Sequence, residues 1–168
     1  MSKREIEEKF IATIRQHERV IYKVCSFYVS DELPKEDLFQ EVVCNLWRGF
    51  TKFRDECSVS TWIYRVTLNT CISGLRKESK LPKNSISVLP LEQVSPESEN
   101  AEQEEKINEM YRLINQLKTL EKAIVLLYLE EKSYQEIADI TGLTVNNVAI
   151  KLKRTKDKLR KMTNTKNQ

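Results

Sequence analysis

The residues best suited to chemistry lie in SYQEIADITGLTVNNVAIKLKRTKDKLR, Ser133 to Arg160. Their chemistry is binding rather than reaction. Asn146 and Asn147 carry amides that can pair with a base edge, adenine above all, through two hydrogen bonds. Lys151, Lys153, Arg154, Lys156 and Lys158 supply cations for phosphates, and Arg160 and Lys161 extend the series. The formal net charge of the whole chain is only +3, so this enrichment is local and suits a polyanion bound locally. Elsewhere the groups that catalysis needs are not assembled. His17 is the one histidine, Cys25, Cys44, Cys57 and Cys71 form no C-x-x-C pair, and three glycines leave little room for a nucleotide cradle. The reading is of a protein that is not an enzyme, with no metal and no cofactor. Cys25, Cys44 and Cys71 fall among apolar residues at helical spacing and read as buried thiols, whereas Cys57 sits in a more polar stretch.

The elements that must hold these residues can be read locally. Ser133 with Glu136 three positions on is a capping box that starts a helix at about Tyr134. Ile137, Ala138 and Ile140 face inward, and Gly142 stands where the chain must turn with φ > 0. Thr144 caps a second helix with Val148, Leu152 and Leu159 inward. A small residue at the crossing, a glycine in the turn and an apolar anchor beyond it are the parts of a helix-turn-helix. A solvated basic helix that merely complements its own dipole is the plainer alternative. The cap, turn and crossing ahead of the charges favour DNA.

The rest of the chain is patterned for helices. Phe10, Ile14, Ile21, Val24, Cys25 and Tyr28 recur at three- and four-residue steps between Ile6 and Tyr28. In SDELP, Pro34 and the acidic pair suit the first turn of a second helix, with Leu38, Val42, Leu46 and Phe50 on one face. The polar loop TKFRDECSVS follows, and Ser60 or Thr61 is placed to cap a third helix through about Lys77. Pro82, Pro90, Pro96 and the acidic SPESENAEQEE make a linker. Helices resume near Lys106, and the nearly solid apolar run from Leu120 to Leu129 is the second core. The expected fold is all-α: two small helical domains on a flexible linker, spanning residues 6–78 and 106–162 with the linker at 79–105. A chain of 168 residues with 40% hydrophobic and 32% charged content fits that plan, and so does a mean hydropathy of −0.52. No apolar run approaches the roughly 20 residues of a membrane span, so the expected location is cytoplasmic, with no membrane insertion.

Two stretches of the first block, EDLFQEVVCNLW (Glu36–Trp47) and STWIYRVTLNTCISGLRK (Ser60–Lys77), resemble regions 2.2 and 2.3–2.4 of bacterial RNA polymerase sigma factors. The second block, from LKTLEKAIVLLYL onward, resembles their region 4. With no room for the domain that larger members carry between these regions, the chain is similar to the extracytoplasmic-function (ECF) subfamily of the sigma-70 family. The resemblance implies promoter recognition in complex with core RNA polymerase, with the β′ clamp helices and the β flap as contacts. Asp37, Gln40, Glu41 and Asn45 match the docking positions for β′, and an acidic, amide-bearing face suits a basic helical partner. For the −10 element it implies Lys52, Phe53 and Arg54 in the loop and Trp62, Arg65, Asn69, Arg76 and Lys77 on the helix. Extruded bases need aromatic or apolar platforms and cations along the backbone; Trp62 suits either a platform or the core, and Tyr64 adds another aromatic. For the −35 duplex the set is Thr144, Asn146, Asn147, Ile150, Lys151, Lys153, Arg154 and Lys158. An anti-sigma factor is a further partner class that the resemblance leaves open.

The match departs from the family pattern in places. Thr67-Leu68-Asn69 stands where Ala-Arg-Asn is common, Ala149 and Ile150 replace polar or basic residues, and a proline is missing near Leu117–Lys118. The rival reading is a stand-alone helix-turn-helix regulator, which leaves the first block without a task.

Overall fold

The computed structural model describes residues 1–78 and 101–166. Among these residues the regular structure is helical throughout: α1 (Lys3–Ser26), α2 (Lys35–Phe50), α3 (Val59–Glu78), α4 (Ala101–Asn115), α5 (Thr119–Leu129), α6 (Tyr134–Thr141) and α7 (Val145–Lys166). The chain divides into two compact units, Met1–Leu89 and Pro90–Gln168. Most of the expected linker, residues 79–100, lies outside the described residues.

In the first unit α1, α2 and α3 pack mutually. Ile21, Val24 and Cys25 of α1, Leu38, Val42 and Leu46 of α2, and Ile63, Tyr64, Leu68 and Cys71 of α3 are buried together. The i, i+4, i+8 series Leu38–Val42–Leu46 is wholly inaccessible, as a stripe facing a core should be. Helix starts differ from the sequence reading. Ser2 closes a capping box with Glu5, so α1 begins three residues before Ile6. Pro34 sits at the cap of α2 rather than inside its first turn, and Glu36 and Asp37, not Asp31 and Glu32, are the first-turn acids. The cap of α3 is Ser58, whose Oγ accepts the Thr61 N–H at 3.1 Å; Ser60 and Thr61 are already helical.

In the second unit α5 is the central element, with Ala123 to Leu127 buried in an unbroken run against α6 and α7. Ile137, Ala138 and Ile140 from α6 and Val148 and Leu152 from α7 complete that core, as expected. Helix α4 begins at Ala101, earlier than the apolar periodicity suggests, because Glu102 and Glu104 in its first turn suit the positive end of the helix dipole. At the missing proline, Lys118 holds φ −65°, the angle a proline would impose. The backbone shape survives without it.

Candidate nucleic-acid and polymerase interfaces

The helix-turn-helix is built from its caps. Ser133 Oγ accepts the Glu136 N–H, and the Glu136 carboxylate accepts the Ser133 N–H, both at 3.1 Å. The Ser133 backbone amide, then its hydroxyl, holds the Glu136 carboxyl below its ordinary value, assisted by Lys132. Gly142 ends α6 at φ 79°, ψ 10°, with its N–H on the Ala138 carbonyl. Thr144 Oγ1 then accepts the Asn147 N–H at 3.1 Å, which starts α7. Thr144 is exposed, but its first task is this cap.

With α7 so anchored, Asn146, Asn147, Ile150, Lys153 and Arg154 are all exposed. Steps of three and four place them on one face of the helix, opposite the buried Val148, Leu152 and Thr155. Ile150 is 41% exposed, an apolar group in the middle of a polar face; such a group suits a thymine methyl. Lys151 is half-buried. Lys158, expected among the phosphate contacts, pairs with Glu121 of α5 at 3.3 Å. Lys156 lies 3.9 Å from the centre of the Tyr128 ring, and Arg160 pairs with Asp157 at 3.6 Å.

The loop between α2 and α3 forms a pocket of about 250 Å³, lined by Gly49, Lys52, Phe53, Arg54, Glu56, Cys57, Trp62 and Arg65. The Gly49 carbonyl accepts the N–H groups of both Lys52 and Phe53 at 3.0 Å, which turns the chain out of α2. Asp55, at φ 55°, turns it again. Phe53 and Trp62 stack with ring centres 5.0 Å apart and planes at 27°. Phe50 stands behind Trp62 at 6.4 Å. Trp62 is half-buried, whereas Tyr64 is 3% exposed and belongs to the core. Trp62, Arg65 and Asn69 share a face of α3, with Asn69 exposed. Thr67 and Leu68, where the sequence departs from the expected Ala-Arg-Asn pattern, are buried. Arg76 and Lys77 are helical in backbone, and their side chains lie outside the described residues.

On α2, Asp37, Gln40 and Glu41 are exposed along one face. Asn45 is not free to join them. Its Nδ2 donates to Thr70 Oγ1 of α3 at 3.0 Å and its Oδ1 accepts from Arg48 at 3.2 Å. Cys44, expected to be buried, is exposed, while Cys25 and Cys71 are buried as expected. Burial and the neighbouring Cys25 push the Cys71 thiol up, with contact to Cys25 the larger cause. Position 44 lies two residues from both Val42 and Leu46, which puts it on the side of α2 opposite the buried Leu38–Val42–Leu46 stripe.

Residues 13–81 match the model of sigma-70 region 2, and residues 107–159 match that of sigma-70 region 4. The chain belongs to the sigma-70 family. Its relatives put this sigma factor in the ECF group: it is 28% identical to the ECF RNA polymerase sigma-E factor of Escherichia coli K12, over 88% of this chain and 82% of the relative. It is 27% identical to the RNA polymerase sigma factor SigV of Bacillus subtilis, over 92% and 91%. In fold it is similar to the sigma factor RpoE of Bartonella quintana, solved with the anti-sigma factor NepR, at TM-score 0.69 and 15% identity over 95% of this chain and 97% of that one. CnrH, solved with the cytosolic domain of CnrY, gives TM-score 0.67 at 15% identity over 95% and 90%. Sigma factors are transcription initiation factors, and their regions 2 and 4 bind core RNA polymerase and promoter DNA. No helix among the described residues is long and apolar enough to cross a membrane.

Proposed function

We propose that this ECF sigma factor opens promoters by capturing one unpaired base of the −10 element in the pocket of the α2–α3 loop, while α7 reads the −35 duplex. The observation that carries this reading is the pocket itself. It combines a stacked aromatic pair, Phe53 on Trp62, with Lys52, Arg54 and Arg65 in its walls. An unstacked base needs such a platform, and its phosphates need such cations. Asn69 continues the same face of α3. On α7, Asn146, Asn147 and Ile150 meet base edges and Lys151, Lys153 and Arg154 meet phosphates. Asp37, Gln40 and Glu41 dock on the β′ clamp helices, and the second unit also meets the β flap.

Asn45 and Lys158 are withdrawn from direct contact in this reading, since each is engaged inside its own unit. An anti-sigma partner is supported by the two similar folds, both solved with a protein bound. The protein works where the polymerase works, in the cytoplasm. The test is run-off transcription with purified core polymerase and a −10 strand labelled at successive bases. Initiation dependent on this chain, with one base protected from solvent, is expected. DNA binding that is unaffected by core, with no initiation, would instead leave an operator-binding regulator.

A further inference from the structure

We propose that Gly49 is a positioning residue for −10 recognition, setting the place of the Trp62 ring through the side chain it lacks. This rests on the reading of the α2–α3 pocket as the site of base capture. Gly49 is the last residue but one of α2, where alanine is intrinsically the better helix former. Its backbone does not call for glycine, because among the described residues Gly142 is the glycine with positive φ. Space does. A Cβ on Gly49 would stand 3.1 Å from Trp62 Cζ2 and 3.9 Å from Cε2, closer than the indole can accept without shifting.

The same residue fixes the other aromatic of the pair. Its carbonyl receives the amides of Lys52 and Phe53, each at 3.0 Å. Gly49 therefore sets the facing ring from its α-carbon side and the loop ring from its carbonyl side. The 5.0 Å Phe53–Trp62 stack between them is the pocket's apolar surface. A methyl group at position 49 forces the indole to give by a few tenths of an ångström, which disturbs its stack with Phe53 and the surface on which a base would rest. Trp62 is the group in contact with DNA; Gly49 acts through it.

The experiment uses holoenzyme formed with the full chain and single-stranded −10 oligonucleotides, intact or carrying an abasic site at each position in turn. In the wild type, one position shows a loss of affinity when its base is removed. With Gly49→Ala, affinity for the intact strand falls roughly three- to tenfold, a part of what stacking one base contributes. Affinity for the strand abasic at that position, and for core polymerase, stays at the wild-type level. In a Trp62→Phe background the smaller ring leaves room for the methyl, so Gly49→Ala adds nothing.

Three results overturn the proposal: unchanged preference for the intact strand, equal losses on intact and abasic strands, or the same added loss in the Trp62→Phe background. If Gly49→Ala alone is too unstable to purify, the double variant must recover Trp62→Phe stability; one as unstable as the single variant also overturns it. A wild-type holoenzyme indifferent to every abasic site is a separate outcome. It removes the base-capture reading itself, and this proposal with it.

Discussion

At the scale of residues, Asn147 and Arg154 share the exposed face of α7 but differ in what they can distinguish. An amide in the major groove reads one base, so Asn147→Ala should cost about 1–3 kcal/mol at a single −35 position and relax preference there. Gel-shift competition among −35 variants measures it, and an equal loss on every sequence would contradict base readout. A guanidinium on phosphate reads no sequence. Arg154→Ala should weaken all promoters alike and reduce the salt slope of binding by about one. These two side chains were legible in the sequence because helical period and residue type suffice to place them. The engagements of Asn45 and Lys158 were not. Asn45 and Lys158 meet Thr70 and Glu121 across other helices, and no local pattern reveals a partner 25 or 37 residues away.

At the scale of elements, the turn of the helix-turn-helix depends on Gly142, where a side chain would have open space around it but a φ of 79°. The cost of a side chain there is backbone strain alone. Gly142→Ala should destabilise the second unit by about 1 kcal/mol, while Gly142→Asn, which visits that region more readily, should lose less. Urea titration orders the three; an alanine variant as stable as wild type would show that the turn relaxes. The Ser133–Glu136 cap adds a pH dependence. The carboxyl is held below its unfolded value, so its contribution is complete above the ordinary carboxylate range. It is lost as pH falls through the lowered value. Glu136→Gln should flatten the acid side of the stability profile, modestly, since the group is nearly open to solvent. Caps such as these were readable because donor and acceptor lie three positions apart. The true start of α3 was not: Ser58, Ser60 and Thr61 are all competent caps, and packing of Trp62 and Ile63 decides among them.

At the scale of the whole molecule, each unit has its own buried core, and the chain's activity belongs to neither unit alone. If Asp37, Gln40 and Glu41 dock on core polymerase as proposed, the exposed acidic face of α2 should control output through polymerase affinity rather than DNA affinity. Asp37, Gln40 and Glu41 are exposed, so replacing all three with alanine should leave the melting temperature of the first unit unchanged. Core polymerase affinity should fall about tenfold, because complementary charge contributes mainly to steering and register. The difference between variant and wild type should narrow as salt rises, since screening removes from the wild type what the substitutions remove from the variant. Run-off transcription should then recover when core concentration is raised, whereas the weakness of Arg154→Ala should recover when promoter concentration is raised. A triple variant whose deficit is indifferent to both salt and core concentration would mean that this face of α2 meets nothing on the polymerase.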